Sequence, residues 1–155
     1  MIERGRPDVI LLDLNYTLIA NQQVSRNVRP IERRVEAETY RMDLVEALAG
    51  YRVFMLTARP ERQKAATLGA IGRRIPQLVI ERAYFNTHDE IPPDAKRRML
   101  NTFILPEIDP AVCFAVESNP RTRAMYSVNR IQSAPYSARL VSRLLEATHE
   151  TRPML

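Results

Sequence analysis

Short apolar runs alternate with longer amphipathic stretches along this chain, and the alternation limits the folds that it can adopt. Residues 8–13 (DVILLD) read as a buried strand, and residues 51–58 (YRVFMLTA) read as a second one. Between them, apolar residues recur at helical spacing over 32–49, and Gly50 stands where that helix should end. Strands and helices that alternate at this spacing predict parallel strands joined by crossover helices.

The rest of the chain continues the same alternation. We predict further strands in the second half of 77–86, at 112–117 and near 131–134, and helices over 61–75, 94–105, 120–128 and 137–147. The expected fold is α/β: one domain over residues 1–155, a three-layer sandwich around a mostly parallel, Rossmann-like sheet. Only about twenty residues, 18–40, follow the first strand before the main part of its helix, so we expect no cap or a minimal one.

Composition indicates an ordinary globular protein. The chain has 155 residues, of which 45% are hydrophobic and 26% charged. No apolar run approaches the ~20 residues of a membrane span, and the N-terminal MIERGRPD lacks a signal-peptide core, so we expect a cytoplasmic protein. The single cysteine, Cys113, lies in an apolar run and is predicted to be a small buried hydrophobe. His149, near the C-terminus, receives no role.

The chain is basic, and nearly all of its basic residues are arginine. Its formal net charge is +5, and 21 of its 23 basic side chains are Arg. Arginine binds phosphate through two parallel hydrogen bonds, which favours a nucleotide or nucleic-acid partner. Solvated arginines on helix faces explain the same composition, because net charge alone relates to non-specific association. The sequence leaves both interpretations open.

Polar side chains follow each of the predicted strands. In parallel α/β sheets, ligands bind beyond the carboxyl ends of the strands. The residues at these ends are Asp13, Thr57, Asn86 with Thr87, and Glu117-Ser118-Asn119. Strand ends carry polar residues in any fold, yet every end here has an acid, hydroxyl or amide that can hold a metal or a phosphate.

These groups suit phosphoryl transfer. A carboxylate can attack phosphorus and form an acyl phosphate, which divides one difficult transfer into two easier ones. Both reactants are negative, so a divalent metal with oxygen ligands is needed between them. Asp13 and Glu117 are candidate ligands, while Thr57 and Lys96 are candidate donors to the phosphoryl oxygens.

The order of these residues resembles the haloacid dehalogenase-like (HAD) superfamily of phosphatases. Its first motif, Asp-x-Asp-x-Thr, is matched by residues 13–17 (DLNYT), and its second, a Thr or Ser that ends strand two, by Thr57. Its third, a Lys, is matched by Lys96, and its fourth, an acidic pair, falls on Glu117 and Ser118. Within the superfamily, the stretches LTARPERQKAAT and PPDAKRRML look most like the 3′-phosphatase domains of polynucleotide kinases.

The resemblance implies a Mg²⁺-dependent phosphomonoesterase that acts on a nucleotide or on a polynucleotide 3′-phosphate. It makes Asp13 the nucleophile, with Asn15, Thr57 and Lys96 in the catalytic group. The implied substrate contacts are Thr17, which also braces the loop, Arg59 and Arg62. The implied metal ligands are Asp13, Asn15 through its backbone carbonyl, Glu117 and Ser118.

The sequence departs from the HAD pattern in the support for its nucleophile. Asn15 replaces the second Asp of the first motif, which protonates the leaving oxygen and then activates water; an amide does neither. General acid–base help is typically worth ~10²–10⁴ in rate. Glu117 and Ser118 replace an acidic pair, and Tyr16 replaces a common Gly. These changes favour slow turnover, leaving groups that need no proton, or a substitute acid such as His88, which we otherwise expect on a surface loop.

Two other functions remain open at this level. The departures at Asn15 and Ser118 are compatible with an HAD-like fold kept as a binding module for nucleotide, nucleic acid or protein. Phosphoryl transfer to an acceptor other than water is the second alternative. Both catalytic readings require Asp13 and Glu117 to lie within reach of one divalent ion. The sequence leaves the oligomeric state undetermined.

Overall fold

The computed structural model describes residues 5–148, which form one sheet with helices on both faces. The strands are β1 (Val9–Leu12), β2 (Arg52–Pro60), β3 (Ile80–Asn86), β4 (Cys113–Val116) and β5 (Gln132–Ala134). The helices are α1 (Gln22–Ser25), α2 (Ile31–Ala37), α3 (Met42–Ala47), α4 (Lys64–Arg74), α5 (Pro92–Met99), α6 (Pro120–Val128) and α7 (Ala138–Thr148). No described helix is long and apolar enough to span a bilayer. His149 lies outside the described residues.

The sheet has the order β3-β2-β1-β4-β5, and all of its neighbouring strands are parallel. β1 lies at the centre, and all four of its residues are buried. A continuous apolar run is what a strand covered on both faces requires. The predicted α/β sandwich with a parallel sheet is therefore confirmed.

β1 contributes to a hydrophobic core on each face of the sheet, because successive side chains of a strand point in opposite directions. Ile10 and Leu12 pack into the core formed with α3, α4 and α7. Val9 and Leu11 pack into the core formed with α5 and α6. Cys113 lies buried in this second core, as predicted.

The helix predicted over 32–49 is two helices, α2 and α3, separated by an extended segment. Glu38 ends α2 with extended backbone angles, φ −70° and ψ 139°. Tyr40 then forms an antiparallel bridge with Ile19, and the Arg41 N–H donates to the Leu18 carbonyl at 2.8 Å. Helical periodicity continues through this segment, so its pattern alone does not reveal the break. The tertiary contact with the chain after β1 produces it.

Two other boundaries differ from the sequence prediction. β2 continues to Pro60, and a short 3₁₀ turn over 61–63 precedes α4, so the helix does not begin directly at Pro60. The segment 18–40 contains α1, which the sequence did not indicate, and α2. Among the described residues, no separate cap domain lies between β1 and α3, in agreement with a minimal cap.

Candidate active site

Parallel pairing brings two distant acids together at the carboxyl edge of the sheet. Leu12 of β1 lies opposite Val116 of β4, so the next residues, Asp13 and Glu117, leave neighbouring strands side by side. The Asp13 N–H donates to the Val116 carbonyl at 3.0 Å. Both acid side chains are buried, with Asp13 6% and Glu117 1% exposed. The predicted proximity of these two acids therefore follows directly from the strand register.

The cation between the two acids in this structure is the ammonium group of Lys96. Its Nζ donates to Asp13 Oδ1 at 2.7 Å and also to Glu117 Oε1. Lys96 lies on the buried face of α5, a helix that begins at Pro92, and is only 2% exposed. A lysine this deeply buried would be costly without partners, and the two carboxylates offset that cost.

The second carboxylate oxygen of Asp13 accepts hydrogen bonds from two loops, one that follows β1 and one that follows β4. Thr17 Oγ1 donates to Asp13 Oδ2 at 2.7 Å, and Ser118 Oγ donates to the same atom at 2.9 Å. Thr17 is completely buried. Its position agrees with the bracing role that the sequence also suggested, and its contact with substrate stays a prediction.

These neighbours set the protonation states of the three charged groups. Burial raises the pKa of Asp13, but the charge and hydrogen bond of Lys96 and the hydrogen bond of Thr17 outweigh it and hold the pKa below its ordinary value. Burial lowers the pKa of Lys96, and the two acids reverse this and raise it. Burial, with the charge of Asp13, raises the pKa of Glu117 to about 7 despite Lys96. Asp13 is therefore the acid that stays ionised, the form needed for nucleophilic attack.

The loop after Asp13 is a tight turn that holds Tyr16 in a strained conformation. Tyr16 has φ 62°, in the left-handed region that favours glycine. The Ile19 N–H closes the turn by donating to the Leu14 carbonyl at 3.1 Å. The Tyr16 side chain is 42% exposed, and its hydroxyl accepts from Arg26 Nη1 at 2.9 Å. The residue that replaces the usual Gly therefore projects at the rim of the site.

The side chain of Asn15 accepts a hydrogen bond from a buried arginine, Arg59. Arg59 Nε donates to Asn15 Oδ1 at 3.0 Å, and Arg59 Nη1 donates to Thr67 Oγ1 at 3.1 Å. Arg59 Nη2 donates to the buried carboxylate of Glu38. Arg59 is 3% exposed, and these contacts let it orient the side chain of Asn15. Its predicted contact with substrate stays a prediction.

Three other residues that the sequence singled out, Thr57, Arg62 and His88, differ in their exposure. Thr57 is buried in β2, and its Oγ1 accepts from the Arg59 N–H at 3.1 Å. Arg62 is exposed in the turn before α4. His88 is exposed beside Thr87, with which it shares a 2.7 Å hydrogen bond, and the expectation of a surface loop is confirmed. Neither Arg62 nor His88 is among the described residues that line the cleft at Asp13.

Sequence reasoning did not identify the contacts that secure the loop after β4. Arg123 Nη1 donates to the carbonyls of Glu117 and Ser118 at 3.0 and 2.8 Å. The Asn119 N–H donates to Glu117 Oε2 at 3.1 Å, and the Asn119 side chain caps α6. An Asn followed by Pro is a recognisable helix start. Arg123 had no such signal, because arginine is common on helix surfaces.

Three oxygen atoms converge beside Asp13 and could hold a metal ion. They are Asp13 Oδ2, the Asn15 carbonyl oxygen and Ser118 Oγ, with Ser118 Oγ 2.9 Å from the first and 3.3 Å from the second. Within residues 5–148, no group of three or more His, Cys, Asp or Glu is placed to hold a metal. Mg²⁺ commonly takes one or two carboxylates and completes its shell with water and substrate phosphate. The three oxygens fit a weak Mg²⁺ site of this kind.

Glu117 is positioned differently from the three converging oxygens. Its Oε1 accepts from Lys96 and its Oε2 from the Asn119 N–H. Direct coordination by Glu117, as the sequence predicted, requires one of these hydrogen bonds to be exchanged for the metal. The observed contacts make Glu117 a partner of Lys96.

The assembled groups line an open cleft, here called the Asp13 cleft, of about 550 Å³. Asp13, Lys96 and Glu117 form part of its wall, and Asn15 and Tyr16 contribute the loop side. The cleft lies at the carboxyl edge of the parallel strands, where α/β sheets bind ligands. It presents an ionised carboxylate, a fixed cation and hydroxyl donors to anything that enters.

Comparison with known proteins finds likeness in structure alone. No protein-family model matches the chain, and a search of curated proteins finds no significant match. Two structures of the Pnkp1/Rnl/Hen1 RNA repair complex match at 14% identity, with TM-scores of 0.64 and 0.69; each match covers 84% of this chain. A haloacid dehalogenase-like family hydrolase of Streptococcus pneumoniae matches at 12% identity and a TM-score of 0.58, over 82% of this chain and 83% of that one.

The chain therefore has an HAD-like fold, as the order of its motifs indicated. It spans less than half of each matched RNA-repair chain, 42% and 46% of their lengths. At such low identity, the likeness establishes the fold, and the chemistry has to be argued from the residues of the Asp13 cleft.

Proposed function

We propose that the protein is a Mg²⁺-assisted phosphomonoesterase that works through an aspartyl-phosphate on Asp13. One observation carries the proposal: a buried carboxylate is kept ionised by Lys96 in the wall of an open cleft. A carboxylate in that state is a competent nucleophile. The HAD-like fold supports the same reaction class.

The reaction balances with the residues at hand. An Asp13 oxygen attacks phosphorus while the ester P–O bond breaks, and the alcohol oxygen leaves with the electron pair. That oxygen takes a proton from water in the cleft, because Asn15 has none to give. The hydroxide so formed attacks the phosphorus of the aspartyl-phosphate, which releases inorganic phosphate and restores ionised Asp13.

The other side chains position and neutralise charge. Lys96 supplies a fixed positive charge for the phosphoryl oxygens, and Glu117 holds Lys96 in place. Asp13, the Asn15 carbonyl and Ser118 would hold Mg²⁺. When bound, Mg²⁺ adds positive charge and lowers the repulsion between carboxylate and phosphate. We expect turnover to be slow, since the site lacks a general acid.

The substrate that we propose is a nucleic-acid 3′-phosphate. The cleft is open at Tyr16 and has no cap domain above it among the described residues, which suits the end of a polymer. The matched structures are of an RNA repair complex, which supports a nucleic-acid substrate. The basic composition is consistent with such a partner.

The direct experiment incubates purified protein with Mg²⁺ and a 3′-phosphorylated oligonucleotide and measures released phosphate. We expect slow, Mg²⁺-dependent release that Asp13→Asn abolishes. The matched control is Asp89→Asn, the same change at an exposed residue with φ 50°, a conformation that asparagine tolerates. Unchanged turnover in Asp13→Asn would contradict the proposal.

A binding module without hydrolysis is the second candidate, and one contact favours it. Ser118 Oγ bonds to both Asp13 Oδ2 and the Asn15 carbonyl, so these oxygens satisfy one another without a metal. The variant Asn15→Asp/Ser118→Asp discriminates between the candidates. A binding module gains hydrolysis only in this double variant, whereas measurable wild-type turnover excludes it.

A further inference from the structure

A second cleft, rich in arginine, lies on the segment between β1 and α3. Its volume is about 470 Å³, and it is lined by Arg26, Arg29, Arg34 and Gln63 together with Val28, Pro30 and Ile31. No Asp or Glu is among the described residues that form its lining. We call it the arginine cleft.

Around Arg34, the positive charges of three arginines are opposed by one carboxylate. The arginines are Arg29, Arg34 and Arg59, and the carboxylate is that of Glu38. Glu38 is the carboxylate behind Arg34, and it already accepts from the buried guanidinium of Arg59. Arg34 Nε lies 3.6 Å from Glu38 Oε2, beyond hydrogen-bond length. Burial lowers the pKa of Arg34, and the charges of Arg59 and Arg29 lower it further, against the opposing effect of Glu38. An added anion relieves this repulsion.

Arg26 and Arg29, the exposed arginines of the cleft, have N–H groups that are available to a ligand. Arg29 is exposed and makes no hydrogen bond or ion pair with any residue in 5–148. Arg26 donates to the Tyr16 hydroxyl through one of its five N–H groups. A guanidinium fork matches the geometry of phosphate oxygens, and this cleft contains two with available donors.

Tyr16 joins the arginine cleft to the Asp13 cleft. It lines the Asp13 cleft, while its hydroxyl accepts from Arg26 at 2.9 Å. The linings of the two clefts are therefore connected by one hydrogen bond, between Tyr16 and Arg26. The Tyr16 ring is 42% exposed between them. A basic groove next to an exposed aromatic ring is the arrangement by which proteins hold single-stranded nucleic acid.

We propose that the arginine cleft binds the phosphodiester backbone of a single-stranded nucleic acid, upstream of an end that enters the Asp13 cleft. The position of the terminal phosphate rests on the proposed function, whereas the backbone contact does not. The site thus selects a polynucleotide over a mononucleotide, because only a polymer places phosphates in both clefts.

The test measures binding of a fluorescent single-stranded oligonucleotide of about 12 nucleotides, a length within known single-strand site sizes, by fluorescence polarisation. The probe lacks a 3′-phosphate. We expect Arg26→Ala/Arg29→Ala to weaken binding at least tenfold, since hydrogen bonds to charged groups contribute roughly that much. The salt dependence of log K should become shallower by about 1.4, or ~0.7 for each lost contact.

The matched control is Arg139→Ala/Arg143→Ala, which removes the same charge from the exposed face of α7. We expect this control to change binding less than twofold. A second variant, Gln63→Glu, adds a negative charge to the cleft without removing an arginine and should also weaken binding. Equal effects of the cleft and control variants overturn the proposal.

Competition identifies the class of ligand. Unlabelled oligonucleotide should displace the probe, whereas polyglutamate of equal charge should not; equal displacement by polyglutamate overturns the nucleic-acid assignment in favour of an acidic protein. The outcome is independent of catalysis. Weakened binding in the cleft variants together with no phosphate release would leave the arginine cleft intact and refute the phosphatase. Phosphate release by the wild type, together with unchanged binding in the cleft variants, would support the phosphatase and refute the arginine cleft.

Discussion

Two buried cations, Lys96 and Arg59, lie beside the Asp13 cleft and serve different purposes. Lys96 pairs with Asp13 and Glu117 and is itself part of the cleft wall. Arg59 is as deeply buried, but its donors go to Glu38, Thr67 and Asn15, and it does not line the cleft. Both cations are buried and paired with at least one carboxylate. What separates a reactive centre from a structural one is which atoms face the cleft.

The largest expected effect is at Lys96. Lys96→Met leaves two adjacent buried acids without their cation, and breaking a buried ion pair in this way costs about 3–5 kcal/mol. Urea denaturation should show this loss in the free energy of unfolding. Lys64→Met is the matched control, because Lys64 is partly exposed and lies 3.9 Å from Glu61; its cost should stay below about 1 kcal/mol. Equal losses would mean that the pairing at Asp13 contributes nothing specific.

A smaller loss is expected in the Arg59 network. Glu38→Gln keeps an acceptor for Arg59 but removes the charge, and hydrogen bonds to charged groups contribute about 1.5–3 kcal/mol. Glu36→Gln is the control: it makes the same change two residues earlier in the chain, where Glu36 pairs with Arg73 on the surface. Urea denaturation of the two variants gives the difference. If Glu36→Gln costs as much as Glu38→Gln, the Arg59 network does not support the fold in the way described.

The smallest expected effect is on the pH dependence of stability. The pKa of Glu117 is raised to about 7 in the folded protein, above its unfolded value, so folding favours its protonated form. Its contribution is therefore fully present below about pH 4.5 and is lost as the pH rises through about 7. The lowered pKa of Asp13 acts in the acid range instead and leaves this window unaffected.

Thermal unfolding at pH 5 and pH 7.5 measures this effect. Glu117→Gln should show a smaller stability difference between the two pH values than the wild type does. Glu61→Gln, at an exposed acid, should leave the wild-type difference unchanged. A wild-type protein that is more stable at pH 7.5 than at pH 5, by an amount that Glu117→Gln removes, would contradict the assignment.

Sequence patterns predicted the elements whose periodicity is purely local. The strand at 8–13 is recognisable because a central parallel strand must be apolar at every position. Asp13 and Glu117 were placed together because parallel strands end at one edge of the sheet. The break at Glu38–Arg41 was missed, since the helical pattern runs through it and only contact with Leu18 and Ile19 interrupts the helix.

The roles of several polar residues also depend on tertiary contacts that no sequence pattern reveals. The family resemblance implied that Arg59 contacts the substrate. Its burial depends on Glu38, which reaches it from a segment distant in sequence. Tyr16 and Arg26 were likewise not linked by any pattern, although their hydrogen bond connects the two clefts.

The sequence by itself determined the α/β architecture, the order of its strands and helices and the identity of Asp13 as a strand-end carboxylate. These depend on periodicity and on residue type, which are properties of neighbours along the chain. Only the tertiary structure decided that Lys96 neutralises Asp13, that Arg59 faces inward and that Arg29 borders the arginine cleft without a partner among the described residues. Those outcomes depend on how much water and which opposite charge each group meets after folding, because burial and pairing set the energy of a charge.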